Sequence, residues 1–117
     1  MKFEFKEYPA YLLAKKFFQL CLLHFKKIGF TEHKDLRNML EILSLKIITN
    51  TIHLSGQNSE TEKEEIKKDL QKNINEIVAL YDTALEIGLI QQKDIYTLET
   101  YLEEIANEVQ ITVKQAK

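Results

Sequence analysis

The stretch NTIHLSGQNSETEKEE, residues 50–65, gathers a histidine, two serines and a run of glutamates. These are the residue types from which acid–base, nucleophilic or metal chemistry is built. Their spacing supports none of the three. Leu54-Ser55-Gly56 has no glycine on the near side of the serine and no strand before it, so it is not a nucleophile elbow. A di-iron site in a helical bundle needs Glu-x-x-His pairs, but Cys21, Phe30 and Asn50 stand three residues before His24, His33 and His53. One cysteine and three scattered histidines give no zinc spacing, and neither a phosphate loop nor a dinucleotide fingerprint occurs. No catalytic residue, metal or cofactor is expected, and the chain reads as a non-enzyme.

The glutamates have a structural use instead. Ser59 stands three residues before Glu62, the spacing at which a serine side chain caps a helix and a glutamate caps it in return. Thr61 and Glu64 offer the same spacing two residues later. Glu60, Glu62, Glu64 and Glu65 then lie at the positive end of the helix dipole. Residues 50–65 are thus expected to be a corner between two helices.

The elements on either side follow from apolar periodicity. A first helix, about 9–28, starts at Pro9 and carries Leu13, Phe17, Leu20, Cys21, His24 and Ile28 on one stripe, with Gly29-Phe30 as its stop. A second, about 32–55, carries Leu36, Met39, Leu40, Leu43, Ile47, Asn50 and Leu54 and stops at Gly56. The third, about 59–87, carries Ile66, Leu70, Ile74, Ile77, Tyr81, Ala84 and Leu85 and ends at Gly88-Leu89. The fourth, about 92–115, carries Ile95, Leu98, Leu102, Ile105, Ala106, Val109 and Val113. Short corners between long helices predict an all-α fold, an antiparallel up-down-up-down four-helix bundle in a single domain spanning 1–117. His24 and Asn50 fall on apolar stripes, as buried polar or interface residues; His24 is either a hydrogen-bonded core or interface histidine or a pH-sensitive or ligand-contacting one. Leu12, Phe18, Leu22, Phe25, Ile48, Val78, Ile87 and Ile111 lie beside the stripes and either widen the core or form an oligomer interface.

Composition narrows the function class. The 117 residues are 44% hydrophobic and 29% charged, with only 3 Gly and 1 Pro, too few for the turns of an all-β domain. The lone Cys21 has no internal disulfide partner, and no long apolar run or signal pattern stands out, so a soluble cytoplasmic protein without membrane contact is the expectation. The net charge of −2 hides an asymmetry. Residues 1–55 hold nine Lys/Arg against five Asp/Glu, and residues 56–117 hold seven against thirteen. Lys15, Lys16, Lys26, Lys27, Lys34, Arg37 and Lys46 are the candidates for a nucleic-acid-binding strip on the first two helices, interleaved with Phe18 and Phe25. Against it stand the single arginine and the pI of about 5.9.

The segment NINEIVALYDTALEIGLIQQKDIYTLETYLEEIANEV, residues 73–109, resembles part of a family of small bacterial four-helix bundles. That family comprises the proteins encoded in 23S rRNA intervening sequences and the accessory variability determinants of diversity-generating retroelements. The match covers its third helix, its Leu-Gly-Leu/Tyr-Ile corner and its fourth helix. ITNTIHLSG, residues 48–56, is similar to its Ser-Ile-Pro-x-Asn-Ile-Ala-Glu-Gly phrase, with Asn50 at the place of that Asn. The resemblance implies a non-enzymatic homo-oligomer, a pentamer in this family, acting as an accessory subunit that binds a reverse transcriptase, nucleic acid or both. The retroelement branch is basic, whereas this chain is mildly acidic. The alternative is a purely protein-interacting adaptor or mobile-element bundle that binds no nucleic acid.

Overall fold

A computed structural model describes residues 4–111, the side chains of residues 28 and 29 excepted. Among the described residues there is no strand, and four long helices dominate. A 3-10 turn, Glu4–Glu7, precedes α1 (Pro9–Phe25); a short α2 (Ile28–Glu32) leads into α3 (Lys34–Ser55), followed by α4 (Glu60–Glu86) and α5 (Gln92–Val109). Helix α1 packs against α3 and α5, and α4 packs against the same two, so the four long helices form a closed ring of neighbours. Their shared core is built from Phe17 and Cys21 of α1, Leu40 and Ile47 of α3, Ile74, Ile77 and Tyr81 of α4, and Leu98 and Ile105 of α5. No helix among the described residues is long and apolar enough to cross a membrane.

The ends of α3 and α4 are set by local capping. Ser59 caps α4 by accepting the Glu62 backbone N–H at 3.4 Å. At the other end of α4, Gly88 adopts φ +82°, which sends its N–H to the Leu85 carbonyl and the Leu89 N–H to the Ala84 carbonyl. That pair of bonds is a Schellman motif. Gly56, which ends α3, keeps φ −96° and needs no special residue.

Two expected boundaries are corrected. The first helix stops at Phe25 rather than 28, and Gly29 lies inside α2 instead of ending α1. The cause is Phe30, fully buried and packed edge-to-face on Phe25 at 5.6 Å, which requires the chain to turn at Lys26 and Lys27. Phe25, expected beside the stripe, is consequently part of the core. The last helix stops at Val109 rather than 115. Gln110 takes a left-handed conformation, φ 61° and ψ 47°, so that Ile111 can bond back to the Ala106 carbonyl and pack on the core. Val113 and the rest of the expected extension lie outside the described residues.

The stripe on α3 also differs by one position. Ser44 and Thr51 are buried, and each hydroxyl is satisfied by a carbonyl of its own helix, Leu40 at 2.6 Å and Ile48 at 2.7 Å. Asn50 is half-exposed and Met39 is 48% exposed, so neither is a core residue. An asparagine at position 51 would have to find partners for both ends of its amide in the core, whereas a threonine needs only the carbonyl one turn back.

Candidate functional site

Every long helix sends a polar side chain to one level of the bundle, four of them from three helices into the core and Asp94 at its rim. Helix α1 contributes Cys21 and His24, α3 Ser44, α4 Tyr81 and α5 Asp94. Cys21 and Ser44 are completely buried, Tyr81 and His24 nearly so. The spacing of Cys21 and His24, three residues on one helix, puts both on the same inward face. Asp94 lies in the first turn of α5, where its Oδ2 accepts the Gln91 backbone N–H at 2.9 Å.

From this cap Asp94 reaches two groups at the end of α1. Its Oδ1 is 3.7 Å from His24 Nε2, and its Oδ2 is 3.5 Å from Lys27 Nζ. The backbone bond from Gln91, with Lys27 and His24 adding to it, holds the Asp94 carboxyl below its ordinary range. Burial lowers the basicity of His24, with Asp94 opposing and Lys27 reinforcing the effect. His24 Nδ1 is enclosed with no hydrogen-bond partner, and the ring meets Tyr81 edge-on with centroids 5.9 Å apart.

The order thiol, imidazole, carboxylate invites comparison with a cysteine nucleophile and its base. The environment is wrong for it. Burial pushes the Cys21 thiol up to about 11, despite neighbouring Tyr81 and Ser44 hydroxyls, so the nucleophilic thiolate is suppressed at neutral pH. The Ser44 hydroxyl, 3.7 Å from Cys21 Sγ, spends its single proton on the closer Leu40 carbonyl. The Tyr81 phenol is likewise raised, first by burial and then by Cys21. Three clefts lined by described residues lie elsewhere. One of about 520 Å³ runs between Tyr8, Leu54, Lys63, Lys67 and Glu108, and two smaller ones follow the α1–α5 groove; none of the three includes Cys21, His24 or Tyr81. No group of three acidic, histidine or cysteine side chains suited to a metal occurs among the described residues.

Tyr81 provides a direct check on this layer. Its buried hydroxyl makes no full hydrogen bond and has only the Cys21 sulfur beside it, a weak partner that returns little of the desolvation cost. Tyr81→Phe is therefore expected to leave stability unchanged or to raise it by up to about 1 kcal/mol in urea unfolding. A loss of more than that would mean that the hydroxyl is bonded in solution.

The seven basic candidates sit in different surroundings. Lys15 sits 5.2 Å above the Tyr11 ring, Lys16 lines the α1–α5 groove with Glu104, and Lys27 is paired with Asp94. Lys26, Lys34 and Lys46 are exposed, and Arg37 is half-buried. At 100° per residue, Arg37 and Lys46 occupy opposite flanks of α3. His33 and His53 are both exposed, away from the core layer. Reading the sequence identified His24 but missed Ser44, Tyr81 and Asp94 as polar members of the layer. Ser44 was detectable, because it stands four residues after Leu40 and three before Ile47 on the stripe. Asp94 carried the capping spacing to Gln91.

No family model matches the chain, and neither the curated proteins nor the solved structures include a match to it.

Proposed function

We propose that the chain is a non-catalytic antiparallel up-down-up-down four-helix bundle that works by assembling with itself and presenting a surface to a partner. In its most concrete form it is an accessory subunit of a reverse transcriptase or nucleic-acid complex, as the resemblance of residues 48–56 and 73–109 implies. The antiparallel order is supported at both poles. Lys27 after α1 meets Asp94 at the start of α5, and Tyr8 before α1 shares a cleft with Leu54, Lys63 and Glu108, from the end of α3, the start of α4 and the end of α5.

The observation that carries the proposal is the placement of exposed apolar side chains. Leu12, Leu22, Leu23, Met39, Ile42 and Leu45 are between 39% and 60% exposed, and all six lie on α1 and α3. Among the described residues, α4 contributes no large hydrophobic this exposed and α5 only Tyr96; Ile87 lies in the corner between them. Apolar surface concentrated on one pair of helices is what an interface requires. The alternative reading, a bundle that contacts only protein, is favoured by the pairing of Lys27 with Asp94, which takes one of the seven basic candidates out of reach of phosphate.

Light scattering at low and high salt tests assembly. A multiple of 13.8 kDa is expected, and a monomer at all concentrations would end the proposal. Charge reversal at Lys15, Lys26 and Lys46 separates the two readings. Loss of RNA or DNA binding, with a salt-dependent affinity in the parent, supports the nucleic-acid version. Binding to a reverse transcriptase without any nucleic-acid affinity supports the protein-only version.

A further inference from the structure

The end of α1 and the start of α5 are joined through one carboxylate. Asp94 closes the first turn of α5, pairs with Lys27 beyond the end of α1 and lies 3.7 Å from His24 Nε2. The other nitrogen of that imidazole, Nδ1, is enclosed without an acceptor. A neutral ring with its proton on Nε2 suits this setting, since the N–H points to Asp94 and the bare Nδ1 needs no bond. A second proton has to go on Nδ1, where it would be a buried donor with nothing to receive it, next to a carboxylate already engaged by Lys27.

We propose that this corner is an acid-releasable latch: protonation of His24 drives its side chain out of the core and frees the last turn of α1, α2 and the first turn of α5, while α3 and the centre of α4 stay packed. Release uncovers Phe25, Phe30 and Ile95, which are buried when the corner is closed. The surroundings do not offer the imidazolium another anion. Helix α4 brings Tyr81 to the ring, with its neighbour Asp82 exposed, and α3 brings the uncharged Ser44 to the layer, with Arg37 and Glu41 half-exposed on its flanks. Helix α2 contributes Phe30, and on α5 Lys93 beside Asp94 is exposed. Asp94 and Lys27 are the charges acting on the ring, and they act in opposite directions.

The sign of the effect follows from burial. The folded protein binds the proton on His24 less readily than the unfolded chain does, so stability rises with pH through this group. The contribution is complete above the ordinary histidine value of about 6.5 and is lost progressively as pH falls below it. Asp94 also loses stability on acidification, but its folded value is held down, so its window begins only near the ordinary carboxylate range of about 4. The two groups therefore act in separate windows.

Hydrogen exchange read by mass spectrometry at pH 7.5 and 5.5, corrected for intrinsic rates, tests the latch. Protection in residues 22–32 and 91–96 is expected to fall by up to about tenfold at the lower pH, with residues 70–81 unchanged. His24→Phe, which keeps a ring and cannot titrate, is expected to abolish the difference. Persistence of the opening in this variant would overturn the proposal. Should the variant fail to fold, the wild-type imidazole resonances decide: a His24 that titrates at or above the ordinary value, with protection unchanged, would also overturn it.

Discussion

Phe17→Ala is expected to destabilise the protein by about 3–5 kcal/mol. Phe17 is completely buried on the inward face of α1 and belongs to the core shared by all four long helices. Removing the ring loses its transfer free energy and leaves a cavity that surrounding helices can close only in part. A domain of this size has a total stability of roughly 6–17 kcal/mol, so the substitution removes a large share of it. Urea unfolding should show a lowered midpoint with an unchanged slope, and heat a Tm lower by roughly 15 °C. A loss below about 1 kcal/mol would mean that α1 is not packed as described.

Gly88→Val is expected to cost about 2 kcal/mol through the backbone alone. Gly88 has φ +82°, and a Cβ added there meets nothing within 4 Å, so crowding plays no part. The penalty comes from placing a β-branched residue in the left-handed region, where the Schellman bonds from Gly88 and Leu89 hold the chain. Gly56→Ala is the matched control. Gly56 has φ −96°, and its added Cβ would lie 3.8 Å from the nearest carbonyl oxygen, an ordinary contact. That substitution should be neutral or slightly stabilising, because alanine reduces the freedom of the unfolded chain. Equal losses at the two glycines would contradict the assignment of the left-handed turn to position 88.

These glycines also illustrate what could be read from the sequence. Gly-Phe at 29–30, Ser-Gly at 55–56 and Gly-Leu at 88–89 look alike as helix stops, yet only the last is the Schellman turn the pattern suggested. Position 56 does end a helix, but with an ordinary backbone. Position 29 does not, because the gain from burying Phe30 against Phe25 lies in tertiary packing, which no local motif reports. The same holds for Gln110, whose left-handed conformation is offset by docking Ile111; a glutamine carries no signal for it. All four long helices were legible because each runs through several turns of periodic apolar residues. Asn50 was placed on the buried stripe because positions 50 and 51 both satisfy three- or four-residue steps from Ile47 and to Leu54, and it is Thr51 that is buried. Only packing distinguishes them. His24 was legible as a buried polar residue, but its partner Asp94 lies 70 positions away in sequence and is brought to it by the fold.

That separation bears on how the chain reaches its structure. Around the ring, α1 is followed by α3 with only a short helix between, α3 by α4, and α4 by α5 across small corners, so each of these pairs can meet without ordering much intervening chain. The contact between the first and last helices is different: Lys27 and Asp94, which mark it, are 67 residues apart. Closure entropy grows with the logarithm of loop length, which favours forming the sequential pairs first and the first-to-last seam after them. Once the intervening helices are in place, they carry α5 back to α1 and shorten the effective loop. The seam that joins the two ends of the chain is then the natural final step of assembly, and the Asp94 carboxylate that links Lys27 and His24 to α5 is among the last polar contacts to form.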